Sequence, residues 1–70
     1  MLPITMTRPG ESVTIRKITG EEKVRQHLAE LGVVVDAEVT VVSEVGGNLI
    51  VKVKDSRVAI GLSMANRIFV

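Results

Sequence analysis

The sequence predicts a small, mainly β domain with one short helix, whose five short strands close into a barrel. Valine and isoleucine contribute 13 and 6 of the 70 residues, and both side chains favour the pleated surface of a strand. Only residues 19–31 combine a capping signal with helical periodicity. A flat sheet of this size could not cover five apolar strand faces, whereas a barrel buries them and removes the free edges.

Composition limits the chain to one domain, residues 1–70, and excludes several classes of function. There is no cysteine, so disulfides and thiolate metal sites are excluded. Nine basic and eight acidic residues give a net charge of +1, and they form no basic block of the kind that nucleic-acid binding requires. With Phe69 as the single aromatic residue, neither base stacking nor a groove for proline-rich peptides can be built.

No segment has the length of a membrane span or a signal sequence. Residues 1–6 are apolar but too short, and they lack a charged leader. Apolar runs elsewhere, such as residues 33–35, are shorter still. We therefore expect a soluble cytosolic chain.

The first strand is predicted to follow a turn at residues 8–10, where Pro9 and Gly10 favour turn geometry. Residues 12–18 then alternate, with Val13 and Ile15 facing inward. The next apolar residue falls out of step, which predicts a bulge near residues 16–17 or an early strand end.

The helix has start and stop signals at its two ends. Residues 19–22 fit a capping box in which the Thr19 hydroxyl caps the first turn and Glu22 reaches back. Apolar residues recur at the i, i+4 and i+7 spacing of a single buried stripe: Val24, Leu28 and Leu31. Gly32 is placed to adopt the left-handed conformation that ends a helix.

Residues 33–70 are predicted to form two hairpins followed by a closing strand. Glycines and polar residues mark the turns, and alternating aliphatic residues mark the strands. The predicted order is a strand to residue 44 or 45 that includes Val39, Val41 and Val42, a turn at 46–48, a strand at 49–54, a turn at 54–57, a strand at 58–60, a helical turn at 63–66 and a strand at 67–70.

The order and spacing of these pieces resemble the bacterial ferrous iron transport protein A family over essentially the whole chain. The most specific piece is a Leu-x-x-Leu-Gly-Val helix ending, residues 28–33, followed by an Ala-x-Val-x-Val strand at 37–41. The other pieces are the strand after Gly10, the hairpin around Gly46 and Gly47, the run at 58–62 and the ending at 65–70.

Three positions, in two places along the chain, depart from the family pattern. Relatives usually carry Pro-Gly just before the second strand, whereas this chain has Val35 and Asp36. Aspartate tolerates left-handed backbone geometry better than most residues, so we expect the turn to survive. Relatives often have arginine at the position of His27.

The resemblance implies an SH3-like barrel acting as a cytosolic accessory to ferrous iron import. It implies a protein partner, a membrane ferrous iron transporter that contains a GTPase domain. The same barrel is found as the C-terminal domain of iron-dependent transcriptional repressors, so a generic regulatory SH3-like module that recognises a peptide segment is the alternative. Seventy residues without a helix-turn-helix exclude a complete repressor, but a detached or fused copy of its last domain stays open.

The residues themselves predict neither an enzyme nor a metal or cofactor site. His27 and Glu30 are spaced for one face of a helix, yet no second histidine completes a ligand shell. We interpret them as solvated helix residues and expect no tight iron binding. No serine lies in a nucleophile-elbow context, and no lysine follows Gly46 and Gly47 as in a phosphate loop.

A protein interface is the remaining kind of site. Val33, Val34 and Val35 cannot all point inward from a short connection, so at least one should be exposed. The structural alternative is that they plug an open end of the barrel, a role for which residues 1–6 compete. We add Arg25 on the solvent side of the helix and Ile50 on the outward face of its strand to the predicted partner surface.

Overall fold

The computed structural model describes all 70 residues and is mainly β, as predicted. It contains six strands, two helices and one 3-10 turn. In chain order these are the 3-10 turn Ile4–Met6, β1 Ser12–Thr14, β2 Lys17–Ile18, α1 Glu22–Glu30, β3 Glu38–Val45, β4 Asn48–Val53, β5 Ser56–Gly61, α2 Leu62–Ala65 and β6 Ile68–Phe69.

The strands form two antiparallel sheets. The larger has the order β1-β3-β4-β5, and the smaller pairs β2 with β6. Backbone hydrogen bonds do not join the two sheets into one closed ring, in contrast to the fully closed barrel that we expected. The count of six strands instead of five arises because the first predicted strand is divided into β1 and β2.

That division occurs at Ile15 and Arg16, close to the predicted break in alternation. The Ile15 N–H donates to the Ala37 carbonyl at 2.9 Å, which extends the pairing with the β3 side. The next amide, that of Arg16, donates to the Phe69 carbonyl at 2.7 Å, on the β6 side. The chain therefore passes from the larger sheet to the smaller one within a single residue.

The N-terminus of α1 differs from the capping box that we predicted. The helix begins at Glu22, and Glu21 occupies the N-cap without a side-chain hydrogen bond. Thr19 instead donates both its amide, at 2.8 Å, and its hydroxyl, at 3.3 Å, to the Arg67 carbonyl. Gly20 follows with φ +110°. Because Thr19 is held against the chain just before β6, its hydroxyl cannot cap the helix.

The C-terminus of α1 is confirmed and forms a Schellman motif. Gly32 has φ +86°. Its N–H donates to the Ala29 carbonyl at 2.9 Å, and the Val33 N–H donates to the Leu28 carbonyl at 2.8 Å. Leu28 and Val33 are both buried, so the motif also makes the apolar contact that usually accompanies it.

The core lies between the inward faces of the larger sheet, α1 and the chain ends. All twelve buried residues are apolar: Ile4, Ile15, Leu28, Val33, Val39, Val41, Leu49, Val51, Val53, Ile60, Ala65 and Ile68. The predicted helix stripe is present but uneven, because Leu28 is fully buried whereas Val24 and Leu31 are half-buried.

Both predicted hairpins are present. Gly46 and Gly47 connect β3 to β4 with φ +56° and +79°, the geometry expected of a two-residue turn. Lys54, at φ +55°, begins the turn from β4 to β5. A shift in register between Val41 and Ser43 places a bulge in β3.

The two ends of the chain are paired with each other. The Leu2 N–H donates to the Val70 carbonyl at 3.0 Å, and the Val70 N–H donates back to the Leu2 carbonyl at 2.8 Å. Pro3 forms an isolated bridge with Phe69. This pairing positions Ile4 so that its side chain fills the core beside α2.

Candidate partner-binding surface

The three consecutive valines divide between the core and the surface. Val33 is 1% exposed, whereas Val34 and Val35 are 44% and 49% exposed. The Schellman motif accounts for the first position, because it holds Val33 against Leu28. The prediction that at least one valine is exposed is confirmed. Val33, which we included in the predicted partner surface, is instead buried in the core, and neither Val34 nor Val35 is buried as the alternative, a plug of all three valines, would require.

Exposure of Val34 and Val35 follows from the turn that joins α1 to β3. The Ala37 N–H donates to the Val34 carbonyl at 3.1 Å, closing a four-residue turn. Asp36 adopts φ +75° at its third position, which confirms that aspartate can maintain this turn. Asp36 also donates its N–H to the Ile15 carbonyl at 2.8 Å. We name residues 34–37 the valine turn; backbone bonds fix it to Ile15, just after β1, while two aliphatic side chains project from it.

A groove lies beside the valine turn and was not predicted from the sequence. It has a volume of about 440 Å³. Small residues leave space for the groove, and charged residues make part of its lining polar. Its lining consists of Gly32, Ala37, Glu38, Thr40, Lys52, Val53 and Lys54. The signal available in the sequence was the pair of small residues, Gly32 and Ala37, on either side of the valines.

The other predicted surface residues lie apart from the valine turn. Arg25 is exposed on α1 and donates from Nη1 to the Gly20 carbonyl at 3.2 Å, near the opposite end of the helix. Ile50 is half-buried and pairs with Ser43. Since Ser43 is five residues along β3 from Glu38, Ile50 is roughly 16 Å along the sheet from the valine turn. Arg25 and Ile50 therefore remain predicted partner contacts, each separate from the valine turn.

Residues 1–6 contribute both to the core and to the exposed apolar surface. Ile4 is buried, whereas Met1, Leu2 and Met6 are 76%, 57% and 66% exposed. The buried residue seals the core, and the others leave a second apolar region on the surface. Val45, 61% exposed at the β3–β4 turn, is a further isolated apolar residue.

The residues of α1 that could serve as metal ligands lie at the surface. His27 and Glu30 are both exposed on α1. No three His, Cys, Asp or Glu side chains are grouped so that they could hold a metal ion. Neither α1 nor α2 has the length and apolar composition of a membrane-spanning helix.

Comparison with known proteins assigns the chain to a family. The FeoA domain model matches residues 2–70. A relative from Methanocaldococcus jannaschii, named "Putative Fe(2+) transport protein A", is 30% identical over all of this chain and 85% of its own length.

Two solved structures share the fold. The crystal structure of an iron uptake regulatory protein, FeoA, superposes with a TM-score of 0.87 at 30% identity, over 96% of this chain and 89% of that one. A manganese-dependent transcriptional repressor also gives 0.87, at 22% identity, over 97% of this chain but 39% of its own. The second likeness establishes the fold alone. Together the two neighbours confirm the SH3-like fold, and the match to the family model over nearly the full length shows that the chain belongs to the FeoA domain family.

Proposed function

We propose that this protein is a small cytosolic accessory protein of ferrous iron uptake, which binds a membrane ferrous iron transporter containing a GTPase domain. Membership of the FeoA domain family supports this role, as do the names of its relatives, which refer to Fe(2+) transport and to regulation of iron uptake. The protein acts by binding and not by catalysis. The transported Fe(2+) is the cargo of the partner and is not held by this chain.

The observation that carries the proposal is the valine turn. Two aliphatic side chains are exposed there although the backbone beneath them is fixed at both ends. A rigid apolar projection loses little conformational freedom when a partner covers it, so most of its burial contributes to affinity. The adjoining groove, with Glu38, Lys52 and Lys54 in its lining, provides polar groups at the rim.

Capture of the transporter from detergent-solubilised membranes tests this proposal. We expect the Val34→Asp/Val35→Asp double variant to lose at least tenfold in apparent affinity, because two carboxylates would be desolvated at the interface. Stability should change by no more than about 0.5 kcal/mol, since both side chains are exposed. Affinity is measured by titrating the purified chain against membranes that contain or lack the transporter.

Two further variants separate binding from folding. Val45→Asp is the matched surface control, because Val45 is as exposed as the turn valines but lies at the β3–β4 hairpin; it should bind as the wild type does. Val33→Asp buries a charge and should unfold the domain. The proposal is wrong if the double variant, still folded, captures the transporter as well as Val45→Asp does.

The alternative role, a regulatory module that recognises a repressor segment, predicts a different result in the same experiment. Capture would then not depend on the transporter. The repressor likeness does not favour this role, because at 22% identity it concerns the fold.

A further inference from the structure

The larger sheet has a free edge at β5. This strand is the last in the order β1-β3-β4-β5 and pairs only with β4. In a closed barrel that edge would be covered by another strand, but here the two sheets are separate. An uncovered edge strand presents unpaired N–H and C=O groups to any extended segment that approaches it.

The register identifies which groups are free. Val53 and Ser56 flank a two-residue turn, so they form the hydrogen-bonded pair that closes the β4–β5 hairpin. Pairing alternates from there, and the N–H and C=O groups of Arg57 and Ala59 consequently point away from β4. Neither residue makes a backbone hydrogen bond elsewhere or takes part in a side-chain bond. Two donors and two acceptors are therefore available in a row.

The charge beside this edge is predominantly positive. The β4–β5 hairpin, residues 48–61, carries Lys52, Lys54 and Arg57 against a single acid, Asp55, for a net charge of +2. The whole chain carries +1, so all the remaining residues together carry −1. Lys52 and Arg57 are direct cross-strand neighbours, and both are exposed. Glu38 lines the groove beside Lys52 and Lys54. It lies on β3, however, which β4 and β5 separate from the free edge.

The two faces of an added strand would meet different surroundings. Side chains on the outer face would lie beside Arg57 and Ala59, with Lys52 behind them. Side chains on the inner face would lie beside Val58, which is half-buried at the edge of the core. A segment that alternates acidic and aliphatic residues therefore matches this edge.

We propose that the free edge of β5 binds an extended acidic segment of a partner protein, which adds antiparallel to it as a fifth strand of the larger sheet. Backbone bonds to Arg57 and Ala59 supply the register, and carboxylates facing Arg57 and Lys52 supply the selectivity. A second copy of this chain is a poor occupant, because edge-to-edge pairing would bring two hairpins of net charge +2 together. The inference does not depend on the role of the valine turn.

A synthetic peptide, acetyl-Glu-Val-Glu-Val-Glu-Val-Glu-amide, tests the proposal with the ¹⁵N-labelled full chain. We expect saturable chemical-shift changes and slowed amide exchange centred on Arg57 and Ala59, with affinity that falls as salt is added. The analogue with lysine in place of glutamate should not bind. Shifts confined to another surface, or none up to millimolar peptide, overturn the proposal.

Backbone methylation tests the pairing geometry. In an antiparallel pair, directly opposed residues have their side chains on the same face. The peptide residues opposite Arg57 and Ala59 are then the glutamates, so their N–H groups would point at β5. Methylating the glutamate nitrogens should abolish binding, whereas methylating the valine nitrogens should leave most of it. Equal loss from both analogues contradicts strand addition.

Protein variants complete the test. Ala59→Pro removes a free N–H without touching the β4 ladder, as proline is tolerated at such edge positions, and should weaken binding about fivefold or more. Lys52→Gln/Lys54→Gln should weaken it severalfold, whereas the matched control Lys17→Gln/Lys23→Gln, at two exposed lysines outside the hairpin, should not. If Ala59→Pro fails to fold, the methylated peptides still decide. Sedimentation that shows a dimer, and its loss in Ala59→Pro, would overturn the assignment to an acidic segment.

Discussion

At the scale of single residues, Gly32 is constrained in two independent ways. Its φ is +86°, a conformation that other residues adopt only with strain. A Cβ atom built there would also stand 3.0 Å from Cγ1 of Val53. Gly10 has nearly the same φ, +90°, but nothing lies within 4 Å of its Cβ position. A comparison of substitutions at the two glycines therefore distinguishes the cost of backbone strain from the cost of a steric contact.

We expect Gly32→Ala to lower the free energy of unfolding by about 2–4 kcal/mol and Gly10→Ala by only about 1–2 kcal/mol. The first change adds a steric contact with Val53 to the strain that both share. Urea titration of the two variants beside the wild type measures the difference. Equal losses would show that the sheet yields at Val53 without cost.

Residue types predicted some backbone conformations and not others. Gly32 and Asp36 have positive φ, as expected from their own conformational tolerance and their neighbours. Lys54 also has positive φ, although lysine has no such preference. Its geometry is imposed by the two-residue connection between β4 and β5, and only the register of that hairpin could have revealed it.

At the scale of elements, α1 lacks a capping side chain at its N-terminus. Glu21 has the extended geometry of an N-cap, φ −68° and ψ 158°, but its side chain makes no cap hydrogen bond. A shorter carboxylate at this position can accept from the first-turn amides and keeps the charge that favours the helix dipole.

We expect Glu21→Asp to raise the free energy of unfolding by about 0.5–1 kcal/mol. Glu21→Ala is the matched control, because it removes the carboxylate and should stabilise nothing. Thermal and urea unfolding measure both. If the two substitutions act alike, the cap interpretation of this position is incorrect.

The elements show where local patterns were sufficient and where they were not. The loss of alternation after Ile15 predicted the break between β1 and β2, because a change of face is a local property. The capping-box pattern at Thr19 was misleading, since its hydroxyl is used by the distant Arg67 carbonyl. The adjacent apolar residues Val41 and Val42 interrupt the alternation of β3 and could have indicated its bulge. In the candidate site, exposure of the valines was predictable, but the groove and the free edge depend on how distant strands pack.

At the scale of the whole molecule, the fold depends on the segment that precedes β1. Ile4 is 1% exposed and belongs to the core, although its neighbours Leu2 and Met6 are largely exposed. A domain of this size has roughly 3–5 kcal/mol of net stability without a disulfide or a metal. One buried isoleucine in a short N-terminal turn is therefore a large part of the total.

We expect Ile4→Ala to destabilise the protein by about 2–4 kcal/mol, enough to populate the unfolded state at room temperature. Met6→Ala, in the same 3-10 turn but 66% exposed, should change stability by less than about 0.5 kcal/mol. Circular dichroism during urea titration checks both. A small effect of Ile4→Ala would mean that the segment detaches without disturbing the core.

The lack of a closed hydrogen-bonded barrel could not be predicted from the sequence. Composition required that apolar faces be covered, and the core satisfies that requirement with side chains from both sheets, α1 and Ile4. Covering a face does not require hydrogen bonds around the whole circumference. The resemblance to a family identified the SH3-like fold, whereas the open edge at β5 became visible only from the strand order.

The reciprocal hydrogen bonds between Leu2 and Val70 have a consequence for how this module can be rearranged. Since Leu2 and Val70 are neighbours, a few glycines could join the segments that carry them, and a new start could be opened at the exposed turn of Gly46 and Gly47. For the same reason the domain could be inserted into a surface loop of a host protein. The host protein would have to provide only two closely spaced attachment points.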